Sequence, residues 1–189
     1  MSQKTDEISS ILKEQIKNYD VDYLTYDDVV QFSNIEDCTT NLCRVVKSNG
    51  DSGFGYVDIG KLLEDDGKER NDGAYRKYGE NQVKTGEQLG LVHIIDATCF
   101  LMPFGYVYND LDENQKKLLL ARMILRNKLV KRLIYRSVVD KKSSYKRETG
   151  FLKESTQTRR RANVKRLFDF LYSSEECDLS VYFDNIVFD

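Results

Sequence analysis

Residues 116–166 carry eighteen Lys or Arg against three acidic side chains, interleaved with apolar residues at helical spacing. That much like charge folds only if each element sorts its cations onto one face and its apolar residues onto the other, so the stretch predicts amphipathic helices. Leu119, Met123, Ile124, Leu125, Leu129, Val130, Leu133, Ile134 and Val138 are dense enough for a broad buried face. They predict one long helix from Asp112 to about Val139, with Arg122, Arg126, Lys128, Lys131, Arg132 and Arg136 on the remaining face. Such a helix suits a domain core, a dimer contact, or both.

A second basic helix is predicted within residues 151–172. Val164, Leu167, Phe168 and Leu171 recur at i, i+3, i+4 and i+7, and Ser155 or Thr156 suits the N-cap. The opposite face then carries Thr158, Arg159, Ala162, Lys165 and Arg166. A small residue among cations and hydroxyls lets a helix approach a nucleic-acid groove closely. Arg159, Lys165 and Arg166 are therefore candidate contacts to phosphates or bases, with Gln157 and Thr158 as candidate polar readers.

The rest of the chain balances this charge. Residues 1–115 hold 11 basic and 22 acidic side chains, residues 167–189 hold six acidic and none basic, and the net charge is -2. Clustered cations on a folded surface favour a polyanionic partner, double-stranded DNA above all. The competing reading is that the basic segment pairs with its own acidic flanks or with an acidic protein. The tail, residues 173–189, ends in Val181, Tyr182, Phe183, Ile186, Val187 and Phe188, a composition suited to adding a strand or burying in a dimer.

Between these charged blocks the pattern is compact. Thr5 and the apolar set Ile8, Ile11, Leu12 and Ile16 predict an amphipathic helix from Asp6 to Tyr19; a helix at Tyr26–Phe32 and a short strand at Cys43–Val46 are expected next. Gly50, Gly53 and Gly55 read as a turn or domain boundary, since a dinucleotide-binding loop would need a third glycine and a strand–loop–helix context. Three short helices follow, ended by Gly67, Gly79 and Gly90, which is helix-turn-helix punctuation. Leu91–Ile95, a turn at Asp96-Ala97 and Thr98–Met102 make a β wing ended by Pro103 and Gly105. Asn81, Gln82 and Lys84 are the candidate DNA contacts of this first element.

Several function classes have no support in the sequence. No apolar run approaches the roughly 20 residues of a membrane helix, and MSQKTDEISS lacks the regions of a signal peptide, so a cytoplasmic, membrane-free protein is expected. Cys38, Cys43, Cys99 and Cys177 show no C-x-x-C spacing and read as reduced, structural thiols. The single histidine, His93, sits in an apolar strand-like run, so no metal or other cofactor is expected. A restriction-type nuclease needs an Asp followed by Glu-x-Lys, and no Glu-x-Lys occurs. Asp27-Asp28 and Glu64-Asp65-Asp66 read as solvated acids rather than a catalytic pair. A non-catalytic binder is expected.

The N-terminal wording DEISSILKEQIKNYD is similar to the first helix of the ATP synthase alpha subunit, but the barrel motif and phosphate loop that follow there are absent, so no ATPase activity is implied. Residues 56–172 resemble bacterial winged-helix modules of restriction-modification, defence and mobile-element proteins. The phrases that carry the likeness are KYGENQVKTGEQLGLV (77–92), LMPFGYVYNDLDENQ (101–115) and STQTRRRANVKRLFDFL (155–171). The resemblance implies DNA binding through helix-turn-helix elements, the last phrase acting as a second such element, and it implies no catalysis.

The resulting expectation is a mainly α protein with a small β wing. Residues 1–55 form an N-terminal helix and acidic segment, 56–110 a winged helix-turn-helix, 111–172 a basic helical unit and 173–189 a tail. Its role is regulatory or in a defence or restriction system. A protein-interaction subunit and the DNA-targeting subunit of a restriction nuclease are the alternatives. Operator-type binding would imply a homodimer.

Overall fold

A computed structural model of the protein describes residues 5–20, 23–64, 67–173 and 180–189. In chain order the elements are α1 (Thr5–Lys17), a 3-10 turn (Tyr26–Asp28), α2 (Thr40–Ser48), a second 3-10 turn (Gly50–Ser52), β1 (Phe54–Gly55), α3 (Tyr56–Leu63), α4 (Asp72–Gln88), β2 (Val92–Ile95), β3 (Thr98–Leu101), α5 (Pro103–Asp110), α6 (Glu113–Arg126), α7 (Lys128–Val139), β4 (Ser143–Ser144), α8 (Tyr145–Glu148), α9 (Glu154–Ser173), α10 (Ser180–Phe183) and β5 (Ile186–Val187). The protein is mainly helical with a small antiparallel three-stranded sheet. It divides into two compact units, Val30–Lys116 and Met1–Val29 with Lys117–Asp189, and the second division falls within α6.

In the unit Val30–Lys116, the strand expected at Cys43–Val46 is instead the helix α2; the helix expected at Tyr26–Phe32 is only a 3-10 turn, Tyr26–Asp28, and belongs to the other unit. Leu42, Val45 and Val46 recur at i, i+3 and i+4 and are buried together with Cys43, so burial overrides the β preference of valine. The Asp37 carboxylate accepts from Asn34 Nδ2 at 2.7 Å and from Asn41 Nδ2 at 2.8 Å, bracing the turn that leads into α2. Residues 30–55, read from sequence with the N-terminal segment, thus supply α2 and β1 to this unit.

The expected break at Gly79 does not occur. Residues 72–88 form one continuous helix, started by Asn71, whose Oδ1 accepts from the Ala74 N–H at 2.9 Å. Gly79 is buried, and a Cβ there would collide with the Tyr56 carbonyl; one on Gly60 would collide with the Tyr75 carbonyl. The two glycines let α3 and α4 touch backbone to backbone, a use that sequence punctuation reads as a break.

The expected hairpin forms with its expected turn. β2 and β3 pair antiparallel from Val92↔Leu101 to Ile95↔Thr98, β1 joins on the other side of β3, and the order is β1-β3-β2. Both turn residues are left-handed, Asp96 at φ 48° and Ala97 at φ 60°. An alanine there carries steric strain that glycine lacks, so Ala97→Gly is expected to raise stability by about 0.5–1 kcal/mol. A urea denaturation showing no gain would refute the strain. Pro103 does not simply end the hairpin; it occupies the first turn of α5, where its missing N–H is harmless. Cys38, Cys43 and Cys99 are buried free thiols; burial pushes the latter two up to about 12 and Cys38 well above the ordinary thiol range. Cys177 lies outside the described residues.

In the other unit, the long helix expected from Asp112 to Val139 is two helices. Asn127 breaks it: its backbone is extended (φ -61°, ψ 130°), its Oδ1 accepts from Val130 N–H at 3.1 Å as the α7 N-cap, and its Nδ2 donates to the Asp28 carbonyl at 3.1 Å. Leu12 of α1 is fully buried and Gln15 Nε2 donates to the Leu125 carbonyl at 2.9 Å, so the amphipathic N-terminal helix docks as its pattern predicts. The tail adds a strand, one of its two expected uses: β5 pairs parallel with β4, Ser143↔Ile186 and Ser144↔Val187.

Candidate nucleic-acid interface

The basic surface is built on α8, the connector 149–153 and α9. Tyr145 is fully buried, and its hydroxyl donates to the Gln157 carbonyl at 2.9 Å. Burial raises the Tyr145 hydroxyl above its ordinary value. Gln157 Nε2 donates to the Lys146 carbonyl at 2.7 Å and to Thr149 Oγ1 at 2.9 Å, while Thr149 Oγ1 donates to the Tyr145 carbonyl at 2.7 Å. These bonds pin the short helix to the first turn of the long one. Gln157, expected as a polar reader, is 8% exposed and serves as this brace; periodicity placed it beside the exposed face, and the α8 backbone claimed its amide.

α9 begins at Glu154, ahead of both expected caps, because the Thr156 and Gln157 N–H groups donate to the Lys153 carbonyl. Val164, Leu167, Phe168 and Leu171 are buried, as their spacing predicts. The outward stripe is Thr158, Arg159, Ala162, Lys165 and Arg166, all exposed. Among the described residues, the Thr158 and Arg159 side chains make no hydrogen bond or ion pair. Lys165 Nζ pairs with Asp169 at 2.8 Å, an exposed pair that an incoming phosphate can displace at little cost. Arg166 Nη1 lies 3.4 Å from Asn163 Oδ1. The four predicted residues Thr158, Arg159, Lys165 and Arg166 therefore share one solvent-facing stripe.

Arg160, in the middle of the triple arginine, turns inward. It is 7% exposed, its guanidinium stacks 3.8 Å from the Tyr26 ring centroid, and Nη1 donates to the carbonyls of Tyr26 at 2.9 Å and Val29 at 2.5 Å. Desolvation lowers its pKa from the usual arginine range. It holds the 26–29 segment to α9 rather than facing solvent. Its place four residues before Val164 on the apolar stripe is the sequence signal that separates it from Arg159.

A second arginine cluster supports α8. Glu148, 8% exposed, receives Arg132 Nε at 2.7 Å and Arg136 Nε at 3.2 Å from α7, with Arg147 Nε at 3.9 Å. Much of the α7 charge is thus neutralised locally. Lys141, Lys142, Lys146, Arg147 and Lys153 stay exposed. A cleft of about 210 Å³ at the start of α9 mixes Lys146 and Arg161 with Glu154 and Asp189. Hydrogen bonds from the Ser144 hydroxyl, at 2.9 Å, and the Lys146 N–H hold the Asp189 carboxyl below its ordinary value.

The candidate residues of the other unit are differently placed. Gln82 is fully buried and its Nε2 donates to Ser33 Oγ at 3.1 Å, so it too belongs to the interior rather than to an exposed reading face. Asn81 is half-buried, and exposed Lys84 pairs with Glu80 at 2.7 Å. Glu80 also takes Lys77 at 3.2 Å, and the Lys84 hydrogen bond is the main cause that lowers its carboxyl pKa. Residues 30–116 hold nine basic and fifteen acidic side chains; the other unit, residues 1–29 and 117–189, holds twenty and sixteen, with seventeen of its cations within 117–173. The cations capable of meeting a polyanion are concentrated around α9.

Among the described residues no helix is long and apolar enough to cross a membrane, and no three His, Cys, Asp or Glu side chains cluster to hold a metal ion. No family model, curated protein or solved structure matches the chain.

Proposed function

We propose that this is a non-catalytic double-stranded DNA-binding protein that docks through the exposed face of α9, with Thr158, Arg159, Lys165 and Arg166 as its contacts. The observation that carries the reading is the sorting of α9, whose outward stripe presents cations and a hydroxyl around Ala162 while its inward stripe is anchored. A short helix, a tight connector and a long basic helix is the order in which helix-turn-helix proteins present a reading helix. Arg159 and Arg166 suit phosphates or guanine edges, and Thr158 suits either phosphate or base.

The order α2–β1–α3–α4–β2–β3 with sheet order β1-β3-β2 supports a winged-helix assignment for residues 30–116. The order α7–β4–α8–α9 repeats its first half. Kinship with bacterial defence or restriction modules rests on the phrases named above, and a regulatory or targeting role in the cytoplasm follows from it. A second reading applies to residues 30–116 alone. Their acidic excess and the exposed Phe104 and Val107, one turn apart on α5, favour a protein partner over DNA for that unit.

Titration of a labelled duplex at two salt concentrations tests the main reading. Tight binding at low salt that weakens steeply with added salt is expected, because each phosphate contact releases counterions. Arg159→Ala/Lys165→Ala/Arg166→Ala is expected to weaken binding about 100-fold and to make the salt slope shallower by about 2–3. Equal binding by the triple variant would move the interface off α9, and absence of salt-sensitive binding by the unaltered protein would leave the protein-partner reading.

A further inference from the structure

The connector between α8 and α9 exposes a phenylalanine. Phe151 is 49% exposed, while its neighbours Thr149 and Leu152 are buried. Among the described residues its ring stacks on no other ring and lies under no cation. Gln157 in α9 reaches back across the connector to the Lys146 carbonyl and to Thr149 Oγ1, both ahead of the ring, and the Leu152 N–H donates to the Thr149 carbonyl at 2.9 Å. The ring is therefore presented by a braced backbone rather than by a loose loop. Its nearest charged residues in sequence are exposed Lys146, Arg147, Lys153 and Glu154 and buried Glu148, whose carboxylate is already paired with Arg132 and Arg136.

We infer that Phe151 is an apolar duplex contact: its ring packs against deoxyribose carbons and thymine methyl edges while the flanking cations take the phosphates. The inference rests on the reading of α9 as the DNA-binding helix and adds to it a residue that carries no charge. Charge complementarity argues for DNA rather than an apolar protein partner, because exposed Lys146, Arg147 and Lys153 flank the ring in sequence at the entrance of a basic helix and meet a polyanion first. A phenyl ring has nothing to offer a phosphate, but sugar and thymine methyl surfaces are its natural counterparts. The brace explains why a glutamine is buried three residues into α9: it keeps the ring outward without motion that binding would have to freeze.

The test is duplex binding by the full chain at two salt concentrations, comparing the unaltered protein with Phe151→Ala and Phe151→Leu, each checked by circular dichroism. Phe151→Ala is expected to bind about tenfold more weakly with an unchanged salt slope, since no phosphate contact is lost. Phe151→Leu, which keeps apolar bulk, is expected to stay within about threefold of the unaltered protein. Equal affinity of the alanine variant and the unaltered protein overturns the inference and leaves the α9 reading intact, as does a loss accompanied by a shallower salt slope. Failure of the unaltered protein to bind duplex at either salt overturns the α9 reading itself.

Discussion

Removing residues 180–189 is expected to unfold the unit built on α7 and α9, lowering stability by about 5 kcal/mol or more. Tyr182 and Phe183 are 8% and 4% exposed. Phe183 meets Phe168 edge-on at 5.2 Å and Tyr172 at 4.9 Å, and Phe188 meets Phe168 at 5.6 Å and Tyr145 at 6.2 Å. Backbone anchoring is lost as well: Ser143 N–H donates to the Asn185 carbonyl at 2.9 Å, and Asn185 Nδ2 donates to the Ser137 carbonyl at 3.2 Å. Burial of each aromatic contributes about 1.5–3 kcal/mol, so the segment amounts to a large share of a typical domain's 5–15 kcal/mol. Charge alone suggests that the tail shields the basic surface and that its deletion raises DNA affinity. Packing predicts the opposite outcome, loss of the fold and with it of binding. Urea denaturation of the truncated protein decides between them: an unchanged midpoint would make the tail an appendage.

Gly79→Val is expected to destabilise the other unit by about 3 kcal/mol or more, because the added carbons meet backbone, which cannot rotate away. The Tyr56 carbonyl lies where the Cβ would go, and the Gly60 N–H is close behind it at 2.9 Å. α3 must then lift off α4, and with it Ile59, which is fully buried. Gly150→Ala is the matched control. A Cβ there meets only the Arg147 and Lys146 carbonyls at 3.4 and 3.8 Å, so a change within about 0.5 kcal/mol is expected. Similar urea midpoints for the two variants would show that α3 and α4 do not need the close approach at Gly79.

Legibility from sequence followed the range of the interactions involved. The α9 stripe was readable because 3.6-residue periodicity is local, and the hairpin was readable because a two-residue turn announces itself. Gln82 and Gln157 depart from the expected surface role because an amide's exposure depends on acceptors that periodicity does not reveal: the Ser33 hydroxyl takes one, and the Lys146 carbonyl takes the other. For Arg160 the register with Val164 marks the inner face, but its partners there, the Tyr26 ring and the Tyr26 and Val29 carbonyls, lie far along the chain. Helix α5 is not legible in the sequence because Pro103 suits the end of a strand and the first turn of a helix equally well.

By itself the sequence determined which helix faces are buried, where the hairpin turns and where positive charge accumulates, since each is set by neighbours within a few residues. Only the tertiary structure decided whether a glycine breaks a helix or lets two helices touch, whether residues 112–139 run straight or split at Asn127, and what Arg160 meets on the inner face of α9. Those outcomes depend on atoms brought close from far along the chain, such as the Tyr56 carbonyl at Gly79, the Asp28 carbonyl at Asn127 and the Tyr26 ring at Arg160.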